Sequence, residues 1–212
     1  MVRVSISPTA SMHLCILLTP RFGKKAMIEM VKWVKQHAPP RPDISVLEVG
    51  SGNGALLFAL PGEARYPAQR LMGIDYSEGA IQLAQSVGRS RDLAAVTFNV
   101  CDFLQEDPPL LADNHATDGN GTWDLILDKG TYDAIALMEK DENGAIPVQG
   151  YPMRIAKLLK PGGHFLITCA YDCSTSAKLN KGTFHPACNF TESELRTKFI
   201  TEETGLQYQY AT

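Results

Sequence analysis

Four acidic residues stand at or next to the ends of short apolar segments: Glu48, Asp75, Asp102 and Asp128. A carboxylate in such a position attracts a cation and accepts hydrogen bonds from hydroxyl or amino groups. Because the carboxyl ends of parallel strands meet at one edge of a sheet, we expect the four acids to surround one ligand. They favour a small molecule that carries positive charge, hydroxyl groups or both.

A glycine-rich loop follows the first of these acids. The stretch VLEVGSGNGALL (46–57) sets three glycines between an apolar, β-branched run and a helical pattern. Glycine permits positive φ angles and close approach of the backbone to a ligand, although a purely structural turn remains the alternative. The spacing also fits the dinucleotide pattern, in which a pyrophosphate lies on a helix N-terminus. The loop residues expected to bind the ligand are Gly50, Ser51, Gly52, Asn53 and Gly54.

Glu48 and Asp75 bear on the choice of ligand. The Glu48 carboxylate points toward the place that a pyrophosphate would occupy, which is unfavourable for a dianion. It suits the amino-acid end of S-adenosylmethionine, which carries an ammonium and a sulfonium group. Asp75 lies about twenty residues beyond the glycines, where an acid accepts from both ribose hydroxyls. NAD also has a ribose, so an NAD-dependent oxidoreductase is the alternative.

The residues after the second and third predicted strands complete the predicted cofactor site. Asp102 is expected to accept from the exocyclic amine of an adenine, and Phe103 to cover the ring. A surface acid beside a core aromatic is the structural alternative for this pair. Tyr76 and Ser77 follow Asp75 and are also assigned to the site, while Ser77 is in addition a plausible N-cap.

The elements that position these residues alternate along the chain. Apolar segments predict strands at 44–49, 70–75, 94–100, 122–128, 164–170 and 206–211, and helical patterns lie at 23–38, 55–64, 77–88, 130–138, 151–163 and 191–200. The alternation predicts an α/β fold, a Rossmann-like doubly wound and mostly parallel sheet. The run MHLCILL (12–18) fits a strand, a helix packed on the core, or an aberrant start.

Composition limits the possible partners. The 212 residues fit one α/β domain, and 44% hydrophobic content is enough for a sizeable core. A net charge of -3 gives no general attraction to nucleic acid or to an anionic membrane. The five cysteines show no metal-binding spacing and fit a reducing compartment. We expect a cytoplasmic protein with no metal site, no membrane span and no direct nucleic-acid binding.

Four motifs together resemble the seven-strand S-adenosylmethionine-dependent methyltransferases: EVGSGNG, GIDYS, CDFL and KPGGHFLIT. The resemblance covers roughly residues 23–200. LDKGTYDAIAL (127–137), with CNFTESEL (188–195), is similar to the lysine methyltransferases that modify the alpha subunit of eukaryotic translation elongation factor 1. The resemblance implies the class I methyltransferase fold, S-adenosylmethionine as cofactor and elongation factor 1-alpha as protein substrate.

The residues around Asp128 are then expected to serve methyl transfer to a lysine. A lysine with a pKa near 10.4 arrives protonated, and Asp128 is predicted to steer and orient the amine rather than act as a strong base. Tyr132 is predicted to wall the cationic chain by a cation–π contact, and Lys129 to pair with an acid or face water. Asp128 is counted among the cofactor-binding residues as well. The alternative is that Asp128 caps the following helix.

The chain departs from this family at both ends. RFGK (21–24) keeps only part of a Trp-Phe-Gly-Glu-like motif, so we expect an atypical N-terminal segment at 1–22 and the methyltransferase domain at 23–212. The last antiparallel strand of the family is expected to be missing, which leaves the sixth strand without an obvious neighbour. A small-molecule methyltransferase and a non-catalytic methyltransferase-like binding module are the remaining alternatives. The oligomeric state cannot be predicted.

Overall fold

The structure is a computed structural model that describes residues 11–19, 23–111, 122–139, 144, 147–170 and 190–209. The strands are β1 (Met12–Thr19), β2 (Val46–Val49), β3 (Leu71–Asp75), β4 (Thr97–Val100), β5 (Trp123–Asp128), β6 (Leu159–Ala170) and β7 (Leu206–Gln209). The α-helices are α1 (Lys24–His37), α2 (Ala55–Ala64), α3 (Glu78–Ser90), α4 (Thr131–Ala136), α5 (Tyr151–Leu158) and α6 (Glu192–Phe199). Short 3-10 turns lie at Ala68–Arg70 and Pro147–Gly150.

The strands form one seven-stranded sheet in the order β4-β3-β2-β5-β6-β1-β7, and every neighbouring pair is parallel. The predicted Rossmann-like, doubly wound fold is confirmed. The chain leaves β2 toward β3 on one side, and β5 lies on its other side, so the strand order reverses between β2 and β5. Ligands of open parallel sheets bind at such a switch point, beyond the carboxyl ends of the strands.

β1 is the unexpected element. It pairs with β6 from His13↔His164 to Thr19↔Ala170, and with β7 from Met12↔Leu206 to Cys15↔Gln209. Of the three interpretations of this segment, the strand is confirmed. The expectation that the last predicted strand, β7, lacks a neighbour is wrong, because β1 lies beside it. No antiparallel pair occurs among the described strands, and β1 stands between β6 and β7.

The composition of β1 explains its place. Leu14 and Ile16 belong to one of the two core clusters and Cys15 to the other, and all three are buried. A strand with apolar side chains on both faces is stable only where helices cover both faces of the sheet. An interior position between β6 and β7 provides that environment.

Among the described residues, three α-helices cover each face of the sheet. Side chains of α1, α2 and α3 pack with Val46, Leu125 and Leu127, and those of α4, α5 and α6 pack with Leu47 and Ile126. Because successive strand residues alternate between faces, Glu48 of β2 shares the α1–α3 side with Val46.

Some predicted boundaries are wrong. The strand predicted at 94–100 begins only at Thr97. The helix predicted at 151–163 ends at Leu158, and residues 159–163 belong to β6. The pairing of β6 with β5 shifts register between Trp123, which is opposite Leu159, and Leu125, which is opposite His164, so β6 is irregular there. A Cβ on Gly163 would lie 3.1 Å from the Asp124 carbonyl oxygen, so the lack of a side chain permits this close pairing of the strands.

The described parts of the chain contain neither a membrane-spanning helix nor a metal-binding cluster. No helix there is long and apolar enough to cross a membrane. No group of three or more His, Cys, Asp or Glu side chains in those ranges is arranged to hold a metal ion. Parts of three predicted features lie outside the described residues: 1–10 and 20–22 of the N-terminal segment, 188–189 of the CNFTESEL motif, and 210–211 of the last strand.

Candidate functional site

A cavity of about 540 Å³ opens at the carboxyl edge of the sheet, at the switch point between β2 and β5. Its walls come from the ends of β2, β3, β4 and β5 and from α4. The lining residues are Val49, Gly50, Ile74, Asp75, Tyr76, Cys101, Asp102, Phe103, Leu104, Lys129, Gly130, Thr131, Ala134, Ile135 and Met138. Of the four predicted acids, Asp75 and Asp102 therefore reach the cavity directly.

The glycine loop has the backbone that its sequence predicts. Gly50, Gly52 and Gly54 all have positive φ angles, of 68°, 54° and 76°. A Cβ on Gly50 would overlap the hydroxyl of Thr131, which itself donates to the Val49 carbonyl oxygen at 2.8 Å. Both the backbone angle and the contact require glycine at position 50. The loop is thus held directly against the start of α4.

Asp75 ties the glycine loop to α3. Its Oδ2 accepts from the backbone N–H of Gly52 at 2.9 Å, and its Oδ1 accepts from that of Ser77 at 2.9 Å. Ser77 in turn caps α3, because its hydroxyl accepts from the Ala80 N–H at 3.3 Å. The predicted N-cap is confirmed. Asp75 fixes the loop and also lines the cavity, whereas ribose binding stays a prediction.

Glu48 is a fully buried carboxylate, and neither of its oxygens has a hydrogen-bond partner among the described residues. Burial raises its pKa to about 8, and the negative charges of Asp128 and Asp75 add to the effect. The Lys129 ammonium and the Leu57 backbone N–H lower the pKa, although Leu57 does not reach hydrogen-bonding geometry. Glu48 does not line the cavity, but it directly precedes Val49 and Gly50, which do.

Asp128 is also fully buried, but both of its oxygens accept hydrogen bonds. Its Oδ1 accepts from the Thr131 N–H at 2.7 Å, and its Oδ2 accepts from the Tyr132 N–H at 2.9 Å and the Tyr151 hydroxyl at 2.7 Å. Burial raises the pKa of Asp128, and these donors oppose that shift. The structure therefore shows the capping contact with α4 that was the alternative interpretation. Contact with a substrate amine stays a prediction.

The side chains of Lys129 and Tyr132 lie in different environments. Lys129 is partly buried, lines the cavity and acts electrostatically on Glu48. Tyr132 is buried, with its ring in the core against Tyr151 and Phe199, at centroid distances of 5.2 Å and 5.0 Å. Tyr132 is not among the lining residues, so the predicted aromatic wall is not part of this cavity.

Tyr76, Asp102 and Phe103 line the cavity, and their contacts with a cofactor stay predictions. The Tyr76 side chain is 81% exposed at the rim, which leaves its ring available to a ligand. Asp102 is exposed, and its Oδ1 accepts from the Leu104 N–H at 3.0 Å. Phe103 is buried but presents part of its ring to the cavity. Ser51, Gly52, Asn53, Gly54 and Ser77 do not line it and instead build the loop and the start of α3.

Two residues at or beside the site, Thr131 and Tyr151, were not assigned to it from the sequence. Thr131 lines the cavity and holds the glycine loop, and its position directly after Gly130 was the only available hint. Tyr151 is buried behind Asp128 and is twenty-three positions away in the chain. Only the packing of α5 on the sheet brings it there.

Comparison with known proteins agrees with this architecture. A family model described as a methyltransferase domain matches residues 40–204. EEF1A lysine methyltransferase 2 of Homo sapiens is 33% identical over 178 residues, which cover 84% of this chain and 61% of that protein. Protein-lysine N-methyltransferase efm4 of Schizosaccharomyces pombe is 34% identical over 190 residues, which cover 84% of this chain and 68% of that protein. The chain thus spans about three fifths of the human relative's length.

A solved structure shows the same fold. Phosphoethanolamine N-methyltransferase 2 of Haemonchus contortus, in complex with S-adenosyl-L-methionine, has a TM-score of 0.50 at 21% identity, over 68% of this chain and 28% of that one. That likeness concerns the fold alone, whereas the family match spans most of the sheet and the whole glycine loop. The chain belongs to the methyltransferase domain family, and within it is similar to the EEF1A lysine methyltransferases.

Proposed function

We propose that this chain is a protein-lysine N-methyltransferase, which transfers a methyl group from S-adenosylmethionine to a lysine of translation elongation factor 1-alpha. The relatives named for that activity supply the reaction and the substrate. The observation that carries the choice of cofactor is Glu48, a buried carboxylate without a hydrogen-bond partner among the described residues, next to the glycine loop.

The cavity fits a cationic adenosyl cofactor better than a pyrophosphate. A dianion near Glu48, Asp75 and Asp128 would meet three carboxyl groups, with Lys129 as the opposing cation. A ligand with positive charge stabilises the ionised form of Glu48 instead. Asp75, Tyr76, Asp102 and Phe103 are the residues that would hold the adenosine part, since they follow β3 and β4 along one wall.

When bound, S-adenosylmethionine supplies an electrophilic methyl group on a sulfonium centre. The chain's own residues must then deliver a neutral amine. Lys129 lines the cavity, so a lysine side chain that enters meets a like charge, which lowers its pKa and favours loss of its proton to water. Asp128 is assigned a positioning role, because its hydrogen bonds hold the turn that carries Lys129 and Gly130.

The substrate assignment has a consequence for location. Elongation factor 1-alpha acts in translation, so the proposal implies a cytoplasmic protein whose partner is another protein. The exposed Leu137 and Met138 follow α4 beside the cavity, where a protein substrate would first make contact.

The test is a transfer assay with the full chain, S-adenosylmethionine carrying a labelled methyl group, and purified elongation factor 1-alpha. We expect label in the protein and none in free phosphoethanolamine or free lysine. Label in a small amine alone would make the chain a small-molecule methyltransferase. Cofactor binding without label in any acceptor would make it a binding module.

Lys129→Met tests the proposed electrostatic role, with Lys32→Met as the matched control. Lys32 is exposed on α1 and pairs with Glu29, far from the cavity lining. We expect Lys129→Met to slow transfer more at pH 7 than at pH 9, because the substrate amine then keeps its proton longer. Lys32→Met should transfer at the normal rate at both values. Equal slowing at both pH values would contradict the role.

A further inference from the structure

Tyr151 is a fully buried tyrosine outside the cavity lining and outside the motifs of the sequence. It is the first residue of α5. Its hydroxyl donates to Asp128 Oδ2 at 2.7 Å, a distance typical of a charge-assisted hydrogen bond. Burial and the nearby Asp128 charge raise its pKa well above the ordinary value, so the hydroxyl keeps its proton and remains a donor.

This hydrogen bond acts on the turn that lines the cavity. Asp128 Oδ2 accepts from both Tyr151 and the Tyr132 N–H, while Oδ1 accepts from the Thr131 N–H. Tyr151 is the side-chain donor among these three, and the two amides belong to the first turn of α4. A buried carboxylate that loses a donor retains the cost of burial, so its remaining bonds weaken or rearrange. Lys129 and Gly130 lie between the carboxylate and the amides that it holds.

The ring of Tyr151 contacts a second wall of the same cavity. It packs edge-to-face on Phe103, at a centroid distance of 5.0 Å, and on Tyr132, at 5.2 Å. Phe103 lines the cavity after β4, and Tyr132 belongs to α4 after β5. One side chain therefore joins the wall predicted to cover an adenine to the turn predicted to meet the substrate.

We propose that Tyr151 is a positioning residue of the methyl-transfer site, which fixes the Lys129–Thr131 turn through Asp128 and supports Phe103 through its ring. The role in catalysis rests on the proposed function above. The effect on the first turn of α4 does not, because it follows from the contacts alone. One variant allows both the effect on catalysis and the effect on the first turn of α4 to be measured.

Tyr151→Phe removes the hydroxyl and keeps the ring. The Thr131 and Tyr132 amides should exchange their protons with solvent about tenfold faster or more, which corresponds to about 1.4 kcal/mol of lost protection. With the proposed substrate, kcat should fall by at least about tenfold while KM changes by less than about threefold, since the substrate surface is unaltered.

Tyr66→Phe is the matched control. Tyr66 is buried, and its hydroxyl donates to the Ala38 carbonyl oxygen on the α1–α3 side of the sheet. This variant also loses one buried hydroxyl, so it should lower the unfolding temperature by a similar amount. It should leave the α4 amides and kcat unchanged.

The experiment combines hydrogen exchange of the full chain, read at Thr131 and Tyr132, with transfer kinetics. Faster exchange in Tyr151→Phe alone supports the proposal, and equal exchange in wild type and variant overturns it. If Tyr151→Phe does not fold, Asp128→Asn is read at the same amides, and wild-type protection there also overturns the proposal. Absence of transfer by the wild type would refute the proposed function, while the exchange result would still decide the role of Tyr151.

Discussion

Replacement of Glu48 by glutamine gives the most informative prediction about this protein. Burial raises the pKa of Glu48 from its ordinary 4.5 to about 8. At about 1.4 kcal/mol for each pH unit, ionisation of this carboxyl in the folded chain costs roughly 5 kcal/mol. Glutamine has nearly the same shape and cannot ionise, so Glu48→Gln removes that cost and changes little else.

The sign follows from proton binding. A carboxyl whose folded pKa is raised holds a proton in the folded state that the unfolded state has lost, between about pH 4.5 and pH 8. Its contribution to the free energy of unfolding therefore falls as pH rises through that window. Wild type and Glu48→Gln should agree best near pH 5, and the variant should be more stable by several kcal/mol at pH 9. Asp128 and Asp133 also have raised pKa values but occur in both proteins, so the difference reports the ionisation of Glu48 together with its electrostatic coupling to Asp128.

Urea unfolding at five or six pH values between 5 and 9 is the assay. Exposed Glu202→Gln is the control, and its stability should follow that of the wild type. Parallel stability curves for wild type and Glu48→Gln would refute the reasoning, because they would mean that the Glu48 carboxylate is solvated or paired.

The same carboxyl predicts proton release on cofactor binding. With a pKa of about 8, Glu48 is mostly protonated at pH 7. A ligand with positive charge favours the ionised form, so binding should release up to about one proton. Calorimetry with S-adenosylmethionine in two buffers of different ionisation enthalpy measures this number. Release from wild type and none from Glu48→Gln is the expected result, and equal release would exclude Glu48 as the source.

Other substitutions test the loop and the sheet. Asp75→Ala should weaken S-adenosylhomocysteine binding in a direct titration, because Asp75 both holds the loop and lines the cavity; an unchanged dissociation constant would contradict its assignment. Gly50→Ala should destabilise the chain in thermal unfolding, because position 50 has a positive φ angle and a Cβ there would overlap Thr131 of α4. The control Gly62→Ala lies in open space within α2 and should stabilise the chain by about 0.5–1 kcal/mol. Equal effects of the two substitutions would contradict the loop geometry. Leu14→Ala in β1 should lower the free energy of unfolding by about 2–5 kcal/mol. The control Leu83→Ala, on the exposed side of α3, should lower it by less than about 0.5 kcal/mol. A similarly small loss for Leu14→Ala would contradict an interior position of β1.

Much of the fold could be predicted because local patterns determine it. Short apolar runs that end in glycine or an acid predicted β2 and β3, and alternation with helical patterns predicted the parallel sheet. The positive φ angles at Gly50, Gly52 and Gly54 agree with the expected loop. Ser77 caps α3 because its hydroxyl lies where the helix amides need an acceptor, which a local pattern can indicate.

The position of β1 could not be predicted from local patterns. The apolar run at 12–18 fitted a strand or a buried helix equally well, since neither shows a polar face. Its neighbours β6 and β7 lie more than 140 residues further along the chain. The position of such a strand is decided by tertiary packing, because its apolar side chains must be buried on both faces of the sheet.

Side-chain direction was the other limit at the site. Tyr132 and Lys129 are three residues apart, yet the Tyr132 ring packs in the core and the Lys129 side chain lines the cavity. The direction follows from the cap that Asp128 places on α4, and that cap depends on Tyr151 of a later helix. A sequence motif identifies such residues as a group without assigning them to the core or the cavity.

The most direct test of the central claim is a calorimetric titration of the full chain with S-adenosylhomocysteine and, separately, with NAD. The account predicts saturable binding of S-adenosylhomocysteine, a weaker signal in Asp75→Ala, and no binding of NAD. Binding of NAD alone would contradict the claim that Glu48 and its neighbours favour a cationic ligand over a pyrophosphate.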